Sequence, residues 1–268
     1  MQGAAIATVI ANGVTVIASI AILYWREHLI RARYLSFNKI LDSWRRVLHV
    51  GVPATASNLL GPMTIAVITS FVASYGVAAV AGFGVAARIE SLVMIIIFAV
   101  TSSVGPFTGQ NFGAGRLDRI RSITGIADGF CVVYGIFGAI VLWLLARPLV
   151  SFFDSNTDVI ETASLYLAIV PISLGGFGVM LVAVSSFNAL GRPLPATLLT
   201  FIKLFLAYIP LAWFLSSIAG IAGIFWANAI AHVAFGLVGF VWLRRMLKSL
   251  QDDQLREAQT ESTDSILR

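Results

Sequence analysis

The sequence predicts an all-α membrane protein with seven transmembrane helices, and three observations carry that prediction. Of 268 residues, 58% are hydrophobic and 12% are charged, with mean hydropathy +0.90. A soluble chain carries roughly 25% charged residues, so this one lacks the charge to coat a water-exposed surface. Seven apolar stretches each reach the 20 or so residues needed to cross the hydrocarbon core. The Lys and Arg residues between those stretches gather on alternate connectors, as they do when helices thread a membrane. None of the stretches alternates with period two, which excludes a membrane barrel.

The first span, Gly3–Tyr24, belongs to an uncharged opening of 25 residues with no basic n-region, unlike a cleaved signal peptide. The connector Arg26–Val50 sets Arg26, Arg31, Arg33, Lys39, Arg45 and Arg46 against Glu27 and Asp42. In it Phe37, Ile40, Leu41, Trp44, Val47 and Leu48 recur at helical spacing. They predict a short amphipathic helix on the inner leaflet, either a stiff bridge between two bundles or a surface-anchored loop. The second span, Gly51–Ser74, carries Asn58, and the third, Val77–Val104, carries Arg88 and Glu90. The fourth, Ile126–Leu145, has Asp128 near its inner end, within reach of water. The fifth, Ala163–Phe187, has Pro171 followed by Gly175, Gly176 and Gly178, read as a flexible point. The sixth, Leu194–Leu215, holds Lys203, and the seventh, Ile221–Leu243, holds Asn228 and His232. Beyond Leu250 the chain is polar, and a mobile tail is expected there.

Arg116, Arg119, Arg121, Arg192, Arg244, Arg245 and Lys248 join the first connector on one side. The other side has Arg147 with Asp154, Asp158 and Glu161. The basic face is cytoplasmic, so the N-terminus is outside and the C-terminus inside. The net charge of +5 is therefore topological and does not imply nucleic acid.

Charge inside a span costs at least about 2.5–3.5 kcal/mol on insertion scales and tends to mark a pathway. Arg88, Glu90 and Lys203 meet that condition. Glu90 lies roughly 20 Å into its span and Lys203 roughly 14 Å into its own, so both stand near mid-membrane. Two residues apart, Arg88 and Glu90 point to different helix faces. Glu90 and Lys203 either face a wet cavity, binding substrate or exchanging a proton, or form an ion pair stitching two helices. Asn58 can line such a cavity. His232, alone on an apolar helix, is read as hydrogen-bonded to a neighbouring helix. The single Cys131 excludes an intrachain disulfide and a cysteine cluster. No metal-ligand cluster, phosphate loop, dinucleotide fingerprint or hydrolytic triad is present. The reading is therefore a non-enzyme with no cofactor, no metal and no catalytic residues.

At the inner end of the third span the chain runs Gly109-Gln110-Asn111-Phe112-Gly113-Ala114-Gly115, three glycines expected to end the helix and turn the backbone. It resembles the Gly-Gln-x-x-Gly-Ala-Gly signature of the multidrug and toxic compound extrusion (MATE) family. Gly51-Val52-Pro53, Tyr75-Gly76-Val77, Phe152-Phe153-Asp154, Ala189-Leu190-Gly191-Arg192-Pro193 and Gly220-Ile221-Ala222-Gly223 follow in family order. The resemblance implies twelve spans in two six-helix lobes. Residues 1–25 correspond to the last helix of the first lobe and 26–50 to the inter-lobe connector. Residues 51–245 correspond to the second six-helix lobe and 246–268 to a polar cytoplasmic tail. It implies efflux of organic, often cationic, compounds from a bacterial cytoplasmic (inner) membrane, coupled to H⁺ or Na⁺ influx by alternating access. Partners are then the lipid bilayer and a missing first lobe or a second copy.

The chain departs from some Na⁺-coupled relatives: Gly61 stands where they carry an acid, and Pro171–Ser186 contains none. Glu90 is then the deep carboxylate left to couple locally. Three alternatives remain beside drug efflux: a lipid-linked saccharide flippase of the same superfamily, an inactive truncated half-transporter, and a seven-helix retinal photoreceptor. The photoreceptor is disfavoured because its lysine belongs on the seventh span, whereas Lys203 is on the sixth.

Overall fold

The computed structural model describes residues 2–26 and 37–266, and every regular element among them is helical. The chain divides into two compact units, residues 1–55 and 56–268. The first contains α1 (Gln2–Ala21), continued by a π-helical turn Ile22–Arg26. Its apolar side chains are exposed, Val9 and Ile17 at 70%, as lipid-facing residues are. Arg31 and Arg33 of the basic connector lie outside the described residues.

Helix α2 is Phe37–Ala73. The amphipathic stretch expected as a separate element is thus the start of a longer helix. Then follow α3 (Val77–Gly113), α4 (Leu117–Ser151), α5 (Thr157–Ile169), a 3₁₀ turn Val170–Ser173 and α6 (Leu174–Ala189). The last elements are α7 (Pro193–Phe201), a π-helical segment Ile202–Tyr208, α8 (Ile209–Ala219) and α9 (Ile221–Ile266). Six helices among the described residues are long and apolar enough to cross a membrane, and they fall on six of the seven expected spans. The seventh, in α2, is represented by the shorter apolar helix Leu59–Ala73.

Three differences from the expected boundaries have physical causes. Helix α3 runs nine residues past Val104, because Gly109 and Gly113 stay helical and only Gly115 (φ +70°) turns. Arg116 N–H donates to Asn111 O (2.8 Å) and Gly115 N–H to Phe112 O (3.0 Å), the paired bonds of a Schellman turn. The turn after α6 repeats it, with Gly191 at φ +70°, Arg192 N–H to Phe187 O (2.9 Å) and Gly191 N–H to Asn188 O (3.1 Å). Helix α9 continues through the polar sequence to Ile266, where a tail was expected.

The third difference concerns α6. The most apolar stretch of the Thr157–Ala189 span is 67% buried, against 44% or less in the other five spans, so this segment is the centre of the second unit. It packs against α9, α4 and α3. A Cβ on Gly135 of α4 would lie 2.3 Å from the Gly175 nitrogen, and one on Gly236 of α9 would lie 2.4 Å from the Gly176 oxygen. A Cβ on Gly178 would meet Cys131 Sγ at 2.8 Å. The glycine run expected to flex is instead a set of notches that seat two neighbours, as small residues do between membrane helices.

Candidate functional site

A cavity of about 340 Å³ opens in the second unit, lined from α2, α3, α5, α6, the π-helical segment and α9. Pro210 has no N–H to give the preceding turn, and the chain just before it widens into π-helix over Ile202–Tyr208. In a π turn residues i and i+5 overlie each other. Lys203 and Tyr208, five apart, accordingly both line the cavity.

Glu90 projects from α3. Tyr166 Oη on α5 donates to its Oε2 at 2.5 Å. Tyr166 is held by edge-to-face contacts with Phe83 (5.6 Å between centroids) and Phe225 (5.0 Å), and Asn228 of α9 lies beside its hydroxyl. Lys203 is 3% exposed, with Nζ 4.2 Å above the Phe177 ring centroid. Glu90 and Lys203 sense each other electrostatically across the cavity, yet no ion pair of 4.0 Å or less joins them.

His232 stacks on Phe177 at 4.4 Å, 16° from parallel. Its Nδ1 is 3.1 Å from Ser173 Oγ, and that hydroxyl already donates its single proton to Val170 O at 2.7 Å. The Ser173 hydroxyl thus ties His232 to the turn between α5 and α6. The expected bond between His232 and a neighbouring element is present.

The structure thus brings two sequence-picked residues, Glu90 and Lys203, to one cavity and leaves out others. Arg88 is exposed on another face of α3. The side chain of Asn58 lies outside the described residues. The inner-turn motif is not at the cavity: Asn111 is buried and its Nδ2 donates to Phe107 O (2.9 Å), Gln110 is exposed, and a Cβ on Gly109 would face Ala189 O at 3.9 Å. These residues build the α3–α4 turn. Tyr166, Tyr208 and Phe177 were not picked out. Tyr208 carried a signal, since tyrosine is enriched at membrane interfaces and this one sits well inside the sixth span.

Asp128, expected near the inner end of its span, has a charged partner. It is buried 11 residues into α4, and its Oδ2 lies 3.8 Å from Arg244 Nη2. Arg244 Nη1 also donates to Arg121 O at 2.9 Å. An arginine expected in the basic exit cluster thus turns inward to clasp α4.

Residues 53–214 match the MatE family model. The chain belongs to the MATE family. It is 30% identical over 251 residues to the FAD transporter of Shewanella oneidensis, covering 94% of this chain and 56% of that protein. It is 26% identical over 263 residues to YoeA, a probable multidrug resistance protein of Bacillus subtilis, covering 93% and 56%. It superposes on the bent form of the Vibrio cholerae MATE transporter VcmN with TM-score 0.80 at 32% identity, covering 92% and 56%. The chain spans about half the length of these relatives. An all-α, MATE-like helical lobe is what the sequence predicts, and MATE proteins are transporters, not enzymes.

Proposed function

We propose that this chain forms the second lobe of a secondary active MATE transporter that exports organic, drug-like compounds by ion-coupled antiport. Residues 51–245 are that lobe, 1–25 the last helix of the first, 26–50 the connector and 246–268 a polar cytoplasmic extension. The lobe works in a bacterial inner membrane beside a first lobe or a second copy, with its basic connectors inside. Alternating access comes from rocking lobe against lobe.

The observation that carries this reading is the state of Glu90. It shares a cavity with Lys203 but is held by the Tyr166 hydroxyl. A carboxylate locked to an ammonium would serve only as a stitch. One held by a neutral phenol keeps a lone pair for H⁺, Na⁺ or a cationic cargo group. Arg88 is exposed, so a saccharide-flippase cavity lined with several cations is not supported. The Shewanella relative adds large aromatic anions to the cargo worth testing.

Efflux of rhodamine B, a planar zwitterion, from cells expressing the chain with a first lobe tests the role of Glu90. Glu90→Gln is expected to reduce efflux to the level of cells without the chain, at unchanged membrane abundance. Full efflux in that variant would return Glu90 to a structural role.

A further inference from the structure

Lys203 is the cation that lines the cavity without a hydrogen bond among the described residues. An ammonium has three donors and no acceptor, and among the described residues none accepts from Nζ. Its near partner, the Phe177 ring 4.2 Å away, offers attraction through its face but no hydrogen bond. Glu90 stays beyond 4.0 Å, occupied by Tyr166. A cation 3% exposed and lacking acceptors is expensive to keep. A lysine retained to stitch helices would have found a carbonyl or carboxylate on a neighbour. His232 has one ring nitrogen engaged with Ser173 and its ring stacked on Phe177.

We propose that Lys203 is the anion-recognising group of the cavity, and that it selects organic cargo bearing a carboxylate or phosphate. The anion accepts hydrogen bonds from Nζ, while the planar body of the cargo lies against Tyr166, Phe177 and Tyr208. This rests on reading the cavity as the cargo site. Lys203 is then a specificity residue, with Glu90 left to take the opposite charge.

Riboflavin and flavin mononucleotide share one ring system and differ by a terminal phosphate. Their affinities for the purified full chain in detergent are read from flavin fluorescence anisotropy. The mononucleotide is expected to bind at least about tenfold tighter. Lys203→Met and Lys203→Gln, two replacements of different polarity, are each expected to bring the mononucleotide to within about twofold of riboflavin, with the melting temperature of each purified variant serving as the check on folding. Equal binding of the two flavins by the unmodified chain would overturn the proposal, as would variants that weaken both flavins alike. Glu90-dependent rhodamine efflux alongside equal flavin binding would remove this proposal and keep the proposed function. Phosphate selection through Lys203 without Glu90-dependent efflux would do the reverse.

Discussion

Gly135→Ala tests whether the lobe is built to move as one block. The added Cβ would sit 2.3 Å from the Gly175 nitrogen and 2.6 Å from its Cα. Both are backbone atoms, so no side chain can swing aside. Helix α4 or α6 must retreat by about an ångström to reach ordinary contact, and overpacking of that kind costs about 1–3 kcal/mol. Alanine also gains about 0.5–1 kcal/mol over glycine inside a helix. Gly84→Ala supplies the control, because a Cβ on Gly84 of α3 meets nothing within 4 Å. The propensity gain cancels between the two variants, so their difference is the overpacking itself, about 1–3 kcal/mol. For a chain of this size that is a gap in melting temperature of roughly 3–10 °C, read by size-exclusion fluorescence of heated, detergent-purified protein. Two variants melting together, or Gly135→Ala melting higher, would refute the close approach of α4 and α6. The consequence is mechanical. With α4 seated on Gly175 and α9 on Gly176, α6 has no room to slide against either neighbour.

Three further outcomes follow from the same geometry. Tyr166→Phe keeps both ring contacts and loses the donor to Glu90, a loss of about 1.5–3 kcal/mol for a bond to a charged group. The same change in a Glu90→Leu background, which offers no acceptor, should cost at least about 1 kcal/mol less, and equal costs in both would deny the bond. Arg244→Met strands the buried Asp128 and should destabilise by several kcal/mol, about 3 at most given the 23% exposure of the arginine. Adding Asp128→Asn should recover most of that loss in the same melting assay. Gly115→Ala and Gly191→Ala place a Cβ at φ +70° and should each cost about 1–2 kcal/mol. Asparagine at either site should cost visibly less.

The spans were legible because apolar length is a local property. Helix ends were less so. Hydropathy marks where a helix leaves the membrane, not where it stops, which is why α3 outran Val104 and α9 outran Leu243. Helix α4 likewise begins at Leu117, before the apolar run that starts at Ile126. Gly175 and Gly176 have identical local sequence logic whether they flex or pack. What decides is Gly135, some 40 residues earlier, and Gly236, some 60 later, and no local pattern joins them. Glu90 and Lys203 stood out because charge is rare in an apolar stretch. Their partners did not, since Tyr166 is 76 positions from Glu90 and Phe177 is one of 18 phenylalanines.

The lobe holds two pairs of opposite buried charges and treats them differently. Asp128 and Arg244 approach to 3.8 Å, and the guanidinium is further anchored to a backbone carbonyl and laid over Phe240 at 5.1 Å. That is how a chain stabilises charges it needs only for packing: each group is matched, and removing either leaves the other stranded. Glu90 and Lys203 stand at a shared cavity with the same opportunity, yet the carboxylate takes a phenol and the ammonium takes a ring face. Direct pairing would have been available to a stitch at lower cost. A site that must accept and release charged species cannot use it, because the pair would have to be broken in every cycle. The contrast between the clasp and the cavity, within one chain, favours the proposal that the second pair binds cargo or an ion over a role in packing alone.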